Sequence, residues 1–98
     1  MNLDQLFAII KKRVADDVPY SYSNRFVKDP VGRILRKISE EAYELVEAEF
    51  EGGDREKVAH EMADLWFHCL LLLEKKGMSP DDIFAEFERR HQQSKMDD

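Results

Sequence analysis

Apolar residues recur at Leu3, Leu6, Phe7, Ile10 and Val14, a single helical stripe that predicts an α-helix from about Asn2 to Asp16. Asp17-Val18-Pro19 is expected to end it, and the polar stretch Ser21-Tyr22-Ser23-Asn24-Arg25 that follows reads as irregular. A second helix is expected to open near Asp29-Pro30, with an acidic cap and proline in the first turn. Its apolar arc runs through Val31, Ile34, Leu35, Ile38, Ala42, Leu45 and Val46, and Gly52-Gly53 stops it after about Glu51. Asp54 then caps a third helix that reaches Lys75-Lys76 and ends at Gly77, the lysines suiting the negative end of the helix dipole. Ser79-Pro80-Asp81-Asp82 opens a fourth, which carries Ile83, Phe84, Phe87 and His91 before a polar tail.

No stretch alternates as a strand does, so the pattern predicts an all-α antiparallel bundle of about four helices, a single domain over residues 1–98. From Met62 to Leu73 apolar side chains surround almost the whole third helix, the mark of an element packed on most sides. Trp66 and Phe67 belong to that run and are expected in the core. One small bundle has too little surface to cover both this helix and the long arc of the second. A homodimer burying the two central helices is therefore expected.

Charge narrows the choice of ligands. The chain carries a net charge of −6, which disfavours a nucleic-acid backbone as the main partner, since phosphate binding wants a basic face. An acidic protein that handles phosphates must take positive charge from elsewhere, and bound metal ions are the obvious source. Leu65 to Leu73, the longest strongly apolar run, is about half the ~20 residues of a membrane span. Asp4, Lys11, Lys12 and Arg13 break the first apolar stretch, which reads as neither leader nor anchor. The one cysteine, Cys69, is expected as core filling, in keeping with a reducing cytoplasm.

Candidate chemistry lies in two acidic motifs. Glu61, Asp64 and His68 fall within about 60° of one another on the third helix. Asp64 and His68 are the only strongly polar residues between Met62 and Leu73. On the second helix Glu41 borders the apolar arc, Glu44 lies further round with Lys37 between them, and Glu40 sits closer to solvent. An E-E-x-x-E run alone is ordinarily a solvated face, His68 alone an ordinary core histidine, and Lys37 a plain salt-bridge partner of Glu41. Two i,i+3 carboxylate pairs on adjacent helices, Glu41/Glu44 and Glu61/Asp64, change that balance. Packed together they repel, and a hard divalent cation is the usual remedy.

The segments Arg36-Lys37-Ile38-Ser39-Glu40-Glu41-Ala42-Tyr43-Glu44 and Glu61-Met62-Ala63-Asp64-Leu65-Trp66-Phe67-His68 resemble the phosphoribosyl-ATP pyrophosphohydrolases of histidine biosynthesis, a branch of the MazG-type all-helical nucleotide pyrophosphohydrolases. Ser21-Tyr22-Ser23 is similar to that branch's Ser-Tyr-Thr element, and Gly77 to Ile83 with Glu88-Arg89-Arg90-His91 looks like its closing helix. The chain departs from the usual pattern at Ser39, Tyr43 and Phe67, none of them in the acidic set.

The resemblance implies a cytoplasmic hydrolase that cleaves 1-(5-phosphoribosyl)-ATP to 1-(5-phosphoribosyl)-AMP and pyrophosphate. It implies magnesium on Glu41, Glu44, Glu61 and Asp64, and water activation by Glu40 or Glu44. Lys37, Arg36, Arg25, Tyr22 and His68 are the expected substrate contacts. Two other readings compete: a MazG-type house-cleaning enzyme for ordinary or damaged nucleoside triphosphates, and a non-catalytic acidic dimer that binds a protein partner.

Overall fold

A computed structural model describes residues 1–16 and 21–93, and among these residues every regular element is an α-helix. Helix α1 (Leu3–Ala15) begins with a reciprocal cap: Asn2 Oδ1 accepts from the Gln5 amide and Gln5 Oε1 from the Asn2 amide, both at 2.8 Å. The stop expected at Asp17-Val18-Pro19 lies outside the described residues.

The stretch expected to be irregular is a short helix, α2 (Tyr22–Lys28), which raises the count from about four helices to five. Ser21 caps it by accepting the Asn24 amide at 3.3 Å. A seven-residue helix has little stability of its own. It is held by its neighbours, with Ser23, Asn24 and Phe26 buried. Lys75 Nζ, from the far end of another helix, donates to the Val27 carbonyl at 2.7 Å.

Helix α3 (Val31–Phe50) starts one residue later than the acidic cap suggested. Pro30 occupies the capping position and offers no side-chain bond, while Asp29 turns its carboxylate to Arg33 instead. Gly52 and Gly53, both in the left-handed region, form the turn into α4 (Arg55–Lys75), capped by Asp54. A β-carbon on Gly53 would meet only the carboxylate end of the exposed Glu49 side chain, which can swing away, so it is the left-handed backbone that calls for glycine here. Gly77 closes α4, and Ser79, the expected cap, forms a capping box with Asp82 at the start of α5 (Pro80–Gln92).

Helices α3 and α4 form a long hairpin and pack against each other more extensively than any other pair. The core lies where α1 and α2 cover this hairpin: Phe7 and Ile10, Phe26, Ile34, Leu70 and Leu71. Each such fully buried side chain is worth about 1.5–3 kcal/mol. Phe67 packs against this core as expected.

Other residues expected inside are not. Trp66 is 52% exposed and Cys69 is also exposed, while Leu35 and Val46 stand open on α3. The physical reason is common to most of them: α1, α2 and α3 pack against one side of α4, and among the described residues no further element closes over the other. Trp66 and Cys69 therefore line an apolar groove of ≈340 Å³ with Leu3, Leu73, Phe84 and Phe87. Among the described residues no helix is long and apolar enough to cross a membrane.

Candidate functional site

The hairpin turn sets the two acidic motifs opposite each other. Glu41 from α3 and Glu61 and Asp64 from α4 each offer a carboxylate oxygen, and these atoms lie within 4.8 Å of one another. Helical spacing explains the local arrangement: Glu61 and Asp64 are one turn apart on the face of α4 that meets α3. Glu41 is the most enclosed of the three at 5% exposure. This corrects the emphasis given by sequence, in which Asp64 is the carboxylate set among apolar neighbours; its side chain is 43% exposed. A helical wheel gives direction but not depth.

Lys37 lies one turn before Glu41 and approaches its Oε1 at 3.3 Å, and Glu40 Oε2 at 3.6 Å. Among the described residues, the second oxygen of Glu41 is buried without a hydrogen-bond partner, and so is Oε2 of Glu61. Unpaired buried carboxylate oxygens are costly. With one lysine against three acids the cluster keeps a negative excess. Burial pushes Lys37 down, but its bond to Glu41 and the charges of Tyr22, Glu41 and Glu40 outweigh this and hold it above its ordinary value.

The other predicted residues take distinct places. Glu40 is half-exposed and engaged by Arg36 at 3.6 Å as well as by Lys37. Glu44 is exposed and outside the converging set. His68 is buried behind the carboxylates. Its Nδ1 donates to the Asp64 carbonyl at 2.7 Å, since a carbonyl can only accept, and its Nε2 meets the Tyr22 hydroxyl at 2.6 Å. In the neutral ring that second nitrogen is the acceptor and Tyr22 the donor. Tyr22, Phe26, Phe67 and His68 pack ring on ring around this bond, with centroids 4.6–6.0 Å apart. Burial, the largest influence on the Tyr22 hydroxyl, pushes its pKa up.

Arg25 lines a recess beside the carboxylates together with Tyr22, Phe26, Arg33, Arg36 and Lys37. Two residues here escape the sequence reading. His60 Nε2 approaches Asp64 Oδ2 at 3.5 Å, and its i,i+4 spacing to Asp64 was a usable signal. Arg33 shares a helical face with Lys37 four residues on, but its place over the Phe26 ring (4.8 Å to the centroid) depends on α2, which the pattern does not predict.

Three carboxylates, two with unpartnered buried oxygens, suit a hard cation that takes oxygen ligands. The family model described as Phosphoribosyl-ATP pyrophosphohydrolase matches residues 3–91. A phosphoribosyl-ATP pyrophosphatase of Nitrosomonas eutropha is 40% identical over 88 residues, covering 90% of this chain and 74% of that protein. Those of Methylibium petroleiphilum and Pyrobaculum aerophilum are 41% and 42% identical, over 98% and 89% of this chain and 79% and 92% of their own lengths. The chain belongs to the phosphoribosyl-ATP pyrophosphohydrolase family.

Proposed function

We propose that this protein hydrolyses the α–β phosphoanhydride of 1-(5-phosphoribosyl)-ATP, releasing 1-(5-phosphoribosyl)-AMP and pyrophosphate in histidine biosynthesis, with magnesium as cofactor and the cytoplasm as its compartment. One observation carries the reading: in a chain of this family, Glu41, Glu61 and Asp64 converge with two oxygens left unpaired. These three would hold magnesium, and Glu44, one turn after Glu41, would join them or take the proton of the attacking water. When bound, the ion supplies charge neutralisation on the phosphate oxygens.

The chain's own side chains do the rest. Lys37 pairs with Glu41 and offers its remaining donors to a phosphate oxygen. Glu44 makes no ion pair among the described residues and is free to orient water, whereas Glu40 is engaged by Arg36 and Lys37 and serves behind it. His68 fixes Tyr22 at the edge of the basic recess, where Tyr22, Arg25 and Arg36 meet the substrate. Incubation with phosphoribosyl-ATP and a panel of ordinary nucleoside triphosphates, with and without magnesium, tests this. Phosphoribosyl-ATP is expected to turn over fastest and only with the metal. Faster cleavage of an ordinary triphosphate, or hydrolysis that survives chelation, overturns the proposal.

The working form is proposed to be a homodimer. The apolar groove that contains Trp66, Phe84 and Phe87, and the open positions Leu35 and Val46 on α3, support it.

A further inference from the structure

The recess between α2 and the first half of α3 holds more positive charge than the site beside it can use. Its walls are Tyr22, Arg25 and Phe26 from α2, and Arg33, Arg36 and Lys37 from α3. In a chain of net charge −6, four cations around one hollow call for an explanation. Local acids answer for three of them: Asp29 binds Arg33, Glu40 binds Arg36, and Glu41 binds Lys37. Arg25 has no acidic partner among the described residues.

Arg33 is also arranged in a particular way. Its guanidinium lies over the Phe26 ring and gives one terminal nitrogen to Asp29, so its other N–H groups are left for a ligand. Two guanidinium groups on neighbouring helices, with an aromatic wall between, suit the tetrahedral oxygens of a phosphate, which arginine can grip with two parallel bonds.

Size limits what enters. At ≈250 Å³ the recess is below the ~300–1,000 Å³ typical of pockets that enclose a whole small molecule, so it takes one end of a nucleotide. Lys37 faces both the recess and Glu41, and Tyr22 both the recess and His68, so a ligand seated here continues directly to the carboxylates.

We infer that this recess is a phosphate subsite, in which Arg25 and Arg33 hold the phosphate group of the substrate that lies outside the bond being cleaved. The inference rests on the proposed reaction, whose substrate carries two such groups. One is the end of the triphosphate, which leaves as pyrophosphate; the other is the 5-phosphate of the added ribose. Both present the same chemistry to the two arginines.

Binding distinguishes them without hydrolysis. The arginine side-chain NMR signals of isotope-labelled full-length protein are followed while inorganic pyrophosphate or, separately, ribose 5-phosphate is added without magnesium. One of the two anions is expected to shift the Arg25 and Arg33 signals, and its Kd to rise about tenfold in Arg25→Ala, with a similar loss in Arg33→Gln. Arg25 has no intramolecular acid to lose, so its variant keeps the fold. A response to pyrophosphate assigns the leaving group, and a response to ribose 5-phosphate assigns the ribose end. If neither anion moves these signals, or Arg25→Ala binds as the wild type does, the subsite is wrong. Binding without turnover of phosphoribosyl-ATP would instead sink the proposed reaction and leave the subsite standing.

Discussion

Among the described residues, Lys37 pairs with Glu41 and His60 approaches Asp64, while Glu61 has no ion-pair partner. Glu61 adds a third carboxylate to the cluster and a buried oxygen without a hydrogen-bond partner among the described residues. Replacing Glu61 by glutamine keeps the shape and removes one of the repelling charges. Hydrolysis is expected to fall at least a hundredfold, while magnesium-free stability rises by about 1 kcal/mol. Thermal melting with and without magnesium checks this, because the metal should stabilise the wild type and leave Glu61→Gln almost unmoved. A magnesium-free variant that melts below the wild type would contradict the repulsion argument. The bond from Tyr22 to His68 behaves differently. Tyr22→Phe strands a buried ring nitrogen and is expected to cost about 1–3 kcal/mol in urea unfolding, with unchanged stability counting against the pairing.

At the scale of the element, α2 decides how the site is completed. It supplies Tyr22 and Arg25 yet owes its shape to Ser21 and to burial beneath its neighbours. Ser21→Ala removes the cap in a buried setting and is expected to cost about 0.5–2 kcal/mol. The same change should raise the KM for phosphoribosyl-ATP more than it lowers kcat, because it loosens the substrate contacts and leaves the carboxylates alone. An unchanged KM would show that α2 holds without its cap.

This is also where the sequence was hardest to read. The long helices announce themselves: their apolar arcs repeat every 3.6 residues, and Gly52-Gly53, Gly77 and Ser79-Pro80 mark their ends. With them came Glu41, Glu61 and Asp64. Residues 22–28 are too few to establish a period, and Phe26 alone carries their main apolar anchor. With α2 went Arg33, whose place over Phe26 is a tertiary fact. Glu44 is legible beside Glu41 from their i,i+3 spacing, but its depth is not: it stands exposed, outside the three converging oxygens, because spacing along one helix does not say how far the opposite helix covers it.

For the molecule as a whole, the uncovered apolar groove is the dominant feature. Phe84, 51% exposed on α5, lines it with Trp66 of α4. The proposed homodimer predicts that Phe84→Asp shifts the protein to half its mass in sedimentation, with loss of thermal stability by several degrees as the partner's support is withdrawn. A wild type that already sediments as a single chain would remove the proposal. The misplacement of Trp66 and Cys69 has the same origin. Periodicity reports that a side chain is meant to be covered, not whether the cover comes from its own chain.

The glycine turn between α3 and α4 carries a consequence for heredity. Glu41 lies ten residues before Glu51 and Asp64 ten residues after Asp54, so the two acids are measured off equally from either end of the turn. Each residue added inside either arm rotates everything beyond it by about 100° and carries it about 1.5 Å along the axis. Point substitutions at exposed positions of this interval leave the measure intact. A single codon inserted or lost within either arm swings one acid out of the cluster, whatever amino acid it encodes. For this interval the reading frame of the helix matters more than its spelling.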